Sequence, residues 1–351
     1  MLRHLHLSQF RSYSSLDLEF SEPVFLILGP NATGKTNILE AMYIIATGRS
    51  FRADDIEVIQ HGTMGYRIDA TFSDETISVV FQSDPIKRKR LLRESVAISR
   101  TKLLGLHPVV LFEPNDLTLL SGAPERRRRY LDSVLIQTDE AYRQNYVLYR
   151  RLLRQRNALL WRNRREPVDG LDDQLFILDT QIALPAENIS VLRQKFLLTL
   201  HDTLSSSIQR IAQRSHEIEI EYIEKTSNYL ERSVTNRLRD IALGTTSFGP
   251  HREDWFINLD HHHLNVHASR GEVRTTLLAL KLAEIQYIRE KLSGVTPLLL
   301  LDDVFSELDE ARRRFLVNEL TDVQTVITST DIDKRLKLPA QTLDLTRQSL
   351  S

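Results

Sequence analysis

The sequence predicts an α/β fold in which mixed sheets with flanking helices are interrupted by an inserted helical lobe, without a long coiled coil. A phosphate-binding loop at residues 29–36 joins the apolar run Val24–Leu28 to a segment with apolar residues at helical spacing. A second apolar run, 298–301, leads into Asp302 and Asp303, which is typical of a buried parallel strand ending at a nucleotide site. Between these two features, the residues from about 124 to 240 have the helical period instead.

The first and last thirds of the chain contain the strand signals. Apolar and polar residues alternate, or β-branched residues dominate, in segments 2–10, 16–20, 67–72, 77–81 and 323–328. We therefore expect a head domain that is split in the sequence. Its phosphate loop lies in residues 1–122, its acidic pair lies in residues 241–351, and the helical lobe occupies residues 123–240.

The helical lobe is predicted from two stripes of aromatic and aliphatic residues at helical spacing, which indicate a core and not a cofactor site. The stripes consist of Tyr142, Tyr146, Tyr149, Leu153 and Leu160, and of Ile189, Leu192, Phe196, Leu200 and Leu204. Pro185 is expected to start or kink a helix, and residues 168–170 are expected to form a loop.

The phosphate loop has the complete pattern of its class. It consists of Gly29, Pro30, Asn31, Ala32, Thr33, Gly34, Lys35 and Thr36. Backbone N–H groups of the loop and the positive end of the following helix can hold phosphate oxygens. Lys35 is expected to reach the outer phosphates and Thr36 to bind Mg²⁺. The loop therefore predicts nucleotide binding.

The acidic pair supplies the other half of the predicted catalytic set. Asp302 is the candidate magnesium ligand, because a carboxylate at the end of a parallel strand can hold the ion beside the phosphates. Asp303 is the candidate general base for the attacking water. A solvated turn is the alternative for such a pair, and the intact phosphate loop disfavours it.

Residues 269–272 precede a long apolar helix and allow two interpretations. Ser269 is a good amino-terminal cap. Its hydroxyl, the Gly271 amide and the helix N-terminus could also form a second anion site for the far side of a triphosphate. The residues alone do not decide between the two.

Composition limits the partners. With 46 basic and 47 acidic residues the formal charge is −1, so attraction to nucleic acid must be local. The absence of cysteine excludes disulfides, thiolate metal sites and a cysteine nucleophile. No export signal or membrane span is predicted, and a cytoplasmic location is expected.

Several separate motifs together resemble one family. They are residues 9–13 (QFRSY), 47–52 (TGRSFR), 113–117 (EPNDL), 127–132 (RRRYLD), 249–254 (GPHRED) and 301–309 (LDDVFSELD), with the phosphate loop and the Ser269 segment. In this order, and with a short helical insert, they resemble RecF, a bacterial family of recombination-mediator ATPases related to the ABC-type heads of Rad50 and SMC proteins. The resemblance extends over nearly the whole chain.

The resemblance implies an ATP- and Mg²⁺-dependent homodimer on duplex DNA, near gaps or single-strand/double-strand junctions, that assists recombinase loading with RecR and RecO. Ser269, Gly271 and Glu272 would act in trans on the nucleotide held by Lys35 of a second copy. Ser306 and Asp309 would lie in the loop at the dimer seam, and hydrolysis would reopen the clamp.

The chain departs from the family pattern at three places. Arg270 and Glu272 each replace a usual Gln, so we expect weaker ATP-driven dimerisation because Glu272 repels phosphate. Ala32-Thr33 replaces a frequent Gly-Gln pair. Residues 328–331 (TSTD) stand where many ABC heads have a histidine, which leaves the γ-phosphate sensor unassigned.

Two basic segments are candidates for backbone contacts to DNA. Residues 121–170 contain 12 arginines against six acids, and Arg143, Arg150 and Arg154 share one helical face. The run Lys87, Arg88, Lys89 and Arg90, followed by Arg93, is expected at the tip of a hairpin or loop. The alternative is a solvated face with internal ion pairs, including pairs from Arg126–Arg129 to Asp132 or to the Asp302 region. Any DNA contact is expected to be independent of sequence.

Other interpretations remain at this stage. Metal binding by His261, His262 and His263 is disfavoured because neighbouring residues of one hairpin, expected between 255–257 and 264–266, do not converge on one ion. The chain could be an ABC-type ATPase of another DNA-maintenance pathway, although the roughly 20 residues after Asp331 are too few for a nuclease domain. It could also be a DNA-binding module that holds ATP without hydrolysing it, which the intact Lys35 and Asp302 disfavour.

Overall fold

The computed structural model describes residues 1–212, 214, 216–319, 322–330 and 340–346. By internal contacts the chain separates into two compact units. The phosphate-loop unit comprises Met1–Asp116 and Glu284–Ser351, and the helical unit comprises Leu117–Ala283. Residues 241–283 therefore group with the helices and not with the C-terminal half of the head. The division of the chain into domains at residues 122/123 and 240/241 stays a prediction.

The strands are β1 (Leu2–Phe10), β2 (Tyr13–Glu19), β3 (Val24–Leu28), β4 (Gly65–Phe72), β5 (Thr76–Gln82), β6 (Arg88–Arg93), β7 (Val96–Ile98), β8 (Val109–Phe112), β9 (Ile218–Ile223), β10 (Asp254–Leu259), β11 (His262–His263), β12 (Leu298–Asp302), β13 (Thr325–Ser329) and β14 (Gln341–Asp344).

The helices are α1 (Lys35–Thr47), α2 (Asp55–Val58), α3 (Arg100–Leu103), α4 (Pro124–Thr138), α5 (Glu140–Arg165), α6 (Leu171–Ala212), α7 (Tyr229–Thr235), α8 (Arg237–Leu243), α9 (Leu264–His267), α10 (Arg270–Lys291), α11 (Val304–Glu307) and α12 (Glu310–Glu319).

The phosphate-loop unit contains two sheets that enclose a common apolar core. One is antiparallel, in the order β2-β1-β4-β5-β6-β7. The other is parallel, in the order β14-β3-β13-β12-β8. Helix α1 supplies much of the core between them, because its apolar residues Ile38, Leu39 and Ile45 are buried. The predicted mixed α/β fold is confirmed.

The parallel sheet brings the predicted site residues together. Leu28, the last residue before the phosphate loop, pairs with Ser329 of β13, and Thr328 of β13 pairs with Asp302 of β12. Parallel strands end at the same edge of a sheet, so the loop and the acidic pair emerge at one edge.

The helical unit is built on the long helices α5 and α6 and a small sheet in the order β11-β10-β9. Both predicted stripes pack inward, with Tyr142, Tyr149, Leu160 and Phe196 almost fully buried. Trp255 on β10 is fully buried, and its indole N–H donates to the carbonyl of Arg127 at 2.9 Å.

Pro185 lies inside α6, where tertiary packing buries it, so the expectation that it starts a helix is wrong, whereas a kink there stays a prediction. Two further sequence expectations for the helical unit were wrong. The segment 218–223, inside the predicted helical lobe, is strand β9, whose alternating pattern was overlooked. Residues 264–267 form the short helix α9 instead of the return strand of a hairpin, which is limited to β11.

Among the described residues, α6 is long and apolar enough to pass a length-and-composition test for a membrane span. Its most apolar window has a mean hydropathy of 1.2, and 39% of that window is buried within the protein. Its buried face includes Ile182, Ile189 and Leu200, which pack in the core of the helical unit. Core helices of this kind pass the same test, so the feature is weak evidence for a membrane.

Candidate nucleotide-binding site

The glycines of the phosphate loop are required by close packing and by backbone conformation. Gly34 has φ +94°, and a Cβ there would lie 2.7 Å from the Tyr13 hydroxyl. A Cβ on Gly29 would lie 2.8 Å from Thr33 Oγ1. A larger residue at 34 would therefore clash with Tyr13, and one at 29 would clash with Thr33 of the loop itself. Ala32 also has a left-handed backbone, with φ +67°.

Lys35 lies against the loop that it terminates. Its ammonium donates to the carbonyl oxygens of Gly29 at 2.6 Å and Pro30 at 2.8 Å, and its side chain is largely buried. Burial lowers the pKa of Lys35, and the nearby carboxylates of Asp303 and Asp302 partly oppose this. The cation is thus held beside the loop.

Thr36 and Asp302 form the link between the two halves of the predicted site. The Thr36 hydroxyl lies 2.9 and 3.0 Å from the two carboxylate oxygens of Asp302. Thr328 on the intervening strand donates to the same carboxylate at 2.7 Å. The two predicted magnesium ligands are therefore in direct contact.

Asp303 begins the turn that leads into α11. Its φ is +50°, and its N–H donates to Thr328 Oγ1 at 3.0 Å. Its Oδ1 atom is buried and accepts no hydrogen bond from the part of the chain that the structure describes. Buried carboxylate oxygens are normally satisfied, so this atom is available to a water molecule or an ion.

The predicted seam residues lie in the same unit. Ser306 donates to the carbonyl of Asp303 at 2.7 Å. Asp309 caps α12 by accepting the Arg312 N–H at 2.9 Å, and it also pairs with the Arg312 guanidinium. Of the segment 328–331, Asp331 lies outside the described residues.

Ser269 and Glu272 form a reciprocal cap at the start of α10, in the helical unit. Glu272 Oε2 accepts from the Ser269 N–H at 2.8 Å and from its hydroxyl at 2.9 Å, and the Glu272 N–H donates to Ser269 Oγ at 3.2 Å. These bonds lower the pKa of Glu272. The structure thus shows the cap, and the second anion site, with Gly271 in the first turn of the helix, stays a prediction.

A buried ion cluster behind the loop was missed by the sequence analysis. Glu40 on α1 is fully buried and accepts from Arg11 at 2.8 and 2.9 Å, from Arg52 at 2.8 Å and from Ser50 at 2.6 Å. These bonds and the Arg charges lower the pKa of Glu40 against the effect of burial. A lone glutamate among the apolar residues of a helix, between two Arg-containing motifs, is the signal that predicts such a cluster.

The predicted DNA-binding residues lie in different surroundings. Arg150 and Arg154 on α5 are exposed, whereas Arg143 is half-buried and donates to the carbonyl of Ile136 at 2.8 Å. Lys87, Arg88 and Arg90 are exposed, but the run enters strand β6 and is not confined to a tip, and Lys89 pairs with Asp55.

Part of the arginine excess is neutralised internally. Arg127 forms a two-bond pair with Asp254, at 2.7 and 2.8 Å. Arg156 is fully buried and pairs with Asp179 at 2.6 Å and Asp240 at 2.8 Å. Asp132 was predicted to pair with one of the arginines 126–129. It pairs with Arg193 instead, at 2.6 Å. The basic surface is therefore smaller than the sequence count suggests.

Comparisons with known proteins identify the family of the chain. The family described as RecF/RecN/SMC N terminal domain matches residues 1–337. The chain is 36% identical to DNA replication and repair protein RecF of Moorella thermoacetica, over 94% of this chain and 90% of that protein. It is 33% identical to the RecF protein of Lachnospira eligens, over 95% of this chain and 93% of that protein.

Solved structures give the same result. The recombination mediator protein RecF-ATP in the RecFOR pathway is 30% identical and superposes with a TM-score of 0.87, over 95% of this chain and 92% of that one. An SMC head bound to the C-winged helix domain of ScpA is 15% identical and superposes with a TM-score of 0.53. The match covers 94% of this chain and 90% of that one, and it shows the shared fold alone.

Proposed function

Because this chain belongs to the RecF family of DNA replication and repair proteins, a family of ABC-type ATPases, we propose that it dimerises with ATP on duplex DNA and assists recombinase loading. It would act near gaps or single-strand/double-strand junctions, and hydrolysis would reopen the dimer. The observation that supports this most is the contact of Thr36 with the Asp302 carboxylate, between residues 266 positions apart.

ATP is the proposed ligand of the phosphate loop. Loop N–H groups of residues 29–36 and the N-terminus of α1 would hold the β- and γ-phosphates, and Lys35 would turn from the carbonyls of Gly29 and Pro30 to the phosphate oxygens. The solved RecF-ATP relative, with the same fold, supports this ligand.

The residues beside the loop fit a magnesium ion. Thr36 Oγ1 and the Asp302 carboxylate are hard oxygen donors, and the neighbouring Asp303 Oδ1 is buried without a hydrogen-bond partner among the described residues. Thr36 and Asp302 would hold the ion, which would neutralise charge on the phosphates.

Hydrolysis to ADP and phosphate needs a group that orients water and accepts its proton. Asp303 is the proposed base, because its free carboxylate oxygen lies in the turn after Asp302 and its backbone is fixed by Thr328.

A second copy of the chain would complete the site. We propose that the segment of Ser269, Gly271 and Glu272 of one copy faces the triphosphate held by the other, with the Ser269 hydroxyl and the Gly271 N–H as donors, and that Ser306 and Asp309 lie at the seam. The chain has two separate predicted anion-binding elements, the phosphate loop and the Ser269 segment, which fits this arrangement. Exposed Arg150 and Arg154, together with exposed Lys87, Arg88 and Arg90, would contact the DNA backbone without reading its sequence. Arg143 and Lys89 are weaker candidates because each has an internal partner.

Partners and location follow from the same proposal. The solved RecF-ATP relative belongs to the RecFOR pathway. We therefore propose RecO and RecR as partners of this chain, and a cytoplasmic location.

One observation favours a second function, an ATP-gated DNA-binding module that does not hydrolyse ATP. The hydroxyl proton of Ser269 is directed to the Glu272 carboxylate at 2.9 Å, so this serine is engaged in its own helix cap. A site that cannot recruit Ser269 would hold ATP but close poorly.

The decisive experiment measures ATP turnover with and without duplex DNA, and particle mass by light scattering, for the wild type and for Lys35→Met. We expect ATP to produce dimers and to raise DNA affinity in the wild type only, with slow, DNA-stimulated turnover. ATP-dependent DNA binding with weak dimerisation and no turnover would select the non-hydrolysing module. If ATP changes neither the particle mass nor the DNA affinity of the wild type, both functions are contradicted.

A further inference from the structure

A cavity of about 370 Å³ in the helical unit lies where three elements meet. Strand β9 ends there at Ile223, β10 begins there at Asp254, and these two residues are paired across the sheet. The first turn of α4 forms another wall. Three cations from three different segments line this cavity: Arg128, Lys225 and Arg252.

None of the three cations forms an ion pair within the described part of the chain. The two acids at the cavity are engaged by other arginines, since Glu125 pairs with Arg129 at 2.9 Å and Asp254 is held by Arg127. Like charges around one space repel each other unless an anion joins them, so the cluster is complementary to an anionic ligand.

The guanidinium groups are held by carbonyl oxygens and keep donors to spare. Arg128 Nη1 donates to the carbonyl of Glu253 at 2.9 Å, and Arg252 Nη2 donates to the carbonyl of Thr246 at 3.2 Å. The Lys225 ammonium and Arg252 Nη1 donate no hydrogen bond to any described residue. A ligand with several acceptor oxygens could use these donors.

A buried carboxylate fixes the positions of these segments. Glu253 is fully buried, and its side chain accepts from Ser190 at 2.7 Å, from Arg193 at 3.2 Å and from the Lys225 N–H at 3.4 Å. Its carbonyl accepts from Arg128. The same residue therefore holds the Arg128 guanidinium and the backbone of Lys225 in place before any ligand arrives, which reduces the entropy lost on binding.

Positive potential extends from the cavity to α5. Burial lowers the pKa of His251 to about 4, and the charges of Arg252, Arg128 and Arg150 contribute to this shift. Burial also lowers the pKa of Arg128, and the charge of Arg193 acts in the same direction. Arg150 is one of the exposed residues proposed above to contact DNA, so the cavity lies in the same positive region.

We propose that the cavity binds one phosphate group of a duplex DNA strand, with Arg128, Lys225 and Arg252 as its ligands. This inference rests on the DNA binding of the proposed function and adds a site to it. A phosphate offers more acceptor oxygens to three cations than a carboxylate does, and the 15-residue helix α4 directs its positive end to the same space.

The test compares two triple variants with the same change in charge. The cavity variant is Arg128→Gln, Lys225→Gln and Arg252→Gln. The control variant is Arg162→Gln, Lys195→Gln and Arg239→Gln, at exposed cations of the same unit that do not line the cavity. Duplex affinity is measured between about 50 and 200 mM salt, with blunt duplexes bearing a 5′-phosphate or a 5′-hydroxyl.

We expect the cavity variant to lose about tenfold or more in affinity, and its salt slope to fall by roughly one to two, while the control variant changes by less than about threefold. Equal losses in both variants would overturn the site. A loss restricted to the 5′-phosphorylated duplex would identify a terminal phosphate as the ligand, and a loss with both duplexes would identify a backbone phosphate. Lys225→Gln and Arg252→Gln alone, both at exposed positions, keep the test valid if the triple variant does not fold.

A second arm separates failure of the site from failure of the proposed function. Inorganic phosphate is titrated into Lys35→Met protein, with and without the cavity substitutions, and followed by ³¹P line broadening. Broadening that the cavity variant abolishes and the control variant retains would support the site even if the wild type ignored DNA. ATP-dependent DNA binding that the cavity variant retains in full would overturn the site and leave the proposed function intact.

Discussion

At the scale of single residues, the backbone of Ala32 is the strained point of the phosphate loop. Its φ of +67° costs an L-residue about 1 kcal/mol relative to glycine, and its methyl group is exposed. We expect Ala32→Gly to raise the free energy of unfolding by up to about 1 kcal/mol, because the relief of strain exceeds the added entropy of the unfolded chain. Thermal denaturation followed by circular dichroism measures this.

The matched control is Ala97→Gly, at an exposed alanine within strand β7. Glycine there has no strain to relieve and adds freedom to the unfolded chain, so stability should fall slightly. If both variants lose stability, the left-handed strain at Ala32 is refuted.

His251 makes the helical unit sensitive to acid. Its Nδ1 lies 2.6 Å from the Tyr149 hydroxyl, and burial lowers its pKa from 6.5 to about 4. As pH falls from about 6.5 to 4, the unfolded chain binds a proton that the folded chain does not, so stability decreases across this window. The loss should approach about 2 kcal/mol between pH 7 and 5.

The measurement is urea denaturation at both pH values for the wild type and for His251→Gln. Between pH 7 and 5, His251→Gln should lose about 2 kcal/mol less stability than the wild type does. His61→Gln, at an exposed histidine, should show the full loss of the wild type. An unchanged pH dependence in His251→Gln would show that the folded histidine accepts a proton freely.

At the scale of elements, Glu40 ties helix α1 to the segments that contain Arg11 and Arg52. Glu40→Gln removes the buried counter-charge of two guanidinium groups whose side chains are 21% and 36% exposed, and we expect it to lower the free energy of unfolding by about 1–3 kcal/mol. ATP affinity should fall as well, since α1 carries the phosphate loop at its N-terminus.

The pH dependence of this element has a defined sign. The pKa of Glu40 is lowered in the folded chain, so its stabilising effect is present above about pH 4.5 and is lost as pH falls through the lower folded value. Glu22→Gln, at an exposed acid of the same unit, is the control and should change stability by less than about 0.5 kcal/mol. Equal effects of the two substitutions would rule out the cluster as a structural tie.

The sequence predicted those elements whose pattern is local. Strand β3, the loop and α1 follow from an apolar run, two glycines and a helical period, and β12 follows from four leucines before Asp302. Contacts between distant segments were not predictable in this way. The bonds from Glu40 to Arg11, and from Glu253 to Arg193, join residues far apart in the chain, and no periodic pattern specifies such pairs.

Some local sequence patterns also did not lead to the correct structure or to a single interpretation. The pattern of residues 218–223 is a strand pattern within a helical region, and the surrounding helices obscured it. Ser269 illustrates the opposite difficulty, because a cap and an anion site require the same residue types at the same positions. Only the structure shows that the Ser269 hydroxyl is hydrogen-bonded to Glu272 in the helix cap.

At the scale of the whole molecule, Glu272 bears on the assembly of two copies. Its carboxylate lies in the first turn of α10, where the proposed trans contact with phosphate is made. We expect Glu272→Gln to tighten ATP-dependent dimerisation by several-fold, because it removes a like charge and keeps an oxygen that can cap Ser269. Sedimentation or light scattering in ATP and Mg²⁺ measures the dimer.

Glu221→Gln is the control for this variant, since it removes the same charge at an exposed position on β9 of the same unit. ATP-dependent dimerisation of Glu221→Gln should equal that of the wild type. If Glu272→Gln dimerises no better than Glu221→Gln, then the charge at position 272 does not oppose closure.

The buried position of Trp255 has a practical consequence for spectroscopy. The chain contains two tryptophans, and both Trp161 and Trp255 lie in the helical unit. Trp255 is fully buried, whereas Trp161 is half exposed beneath the Arg165 guanidinium, 3.9 Å from the ring centre. Intrinsic tryptophan emission therefore reports on the helical unit alone, without a label. A change in that emission when ATP is added would be a direct optical signal that the helical unit responds to an event in the other unit.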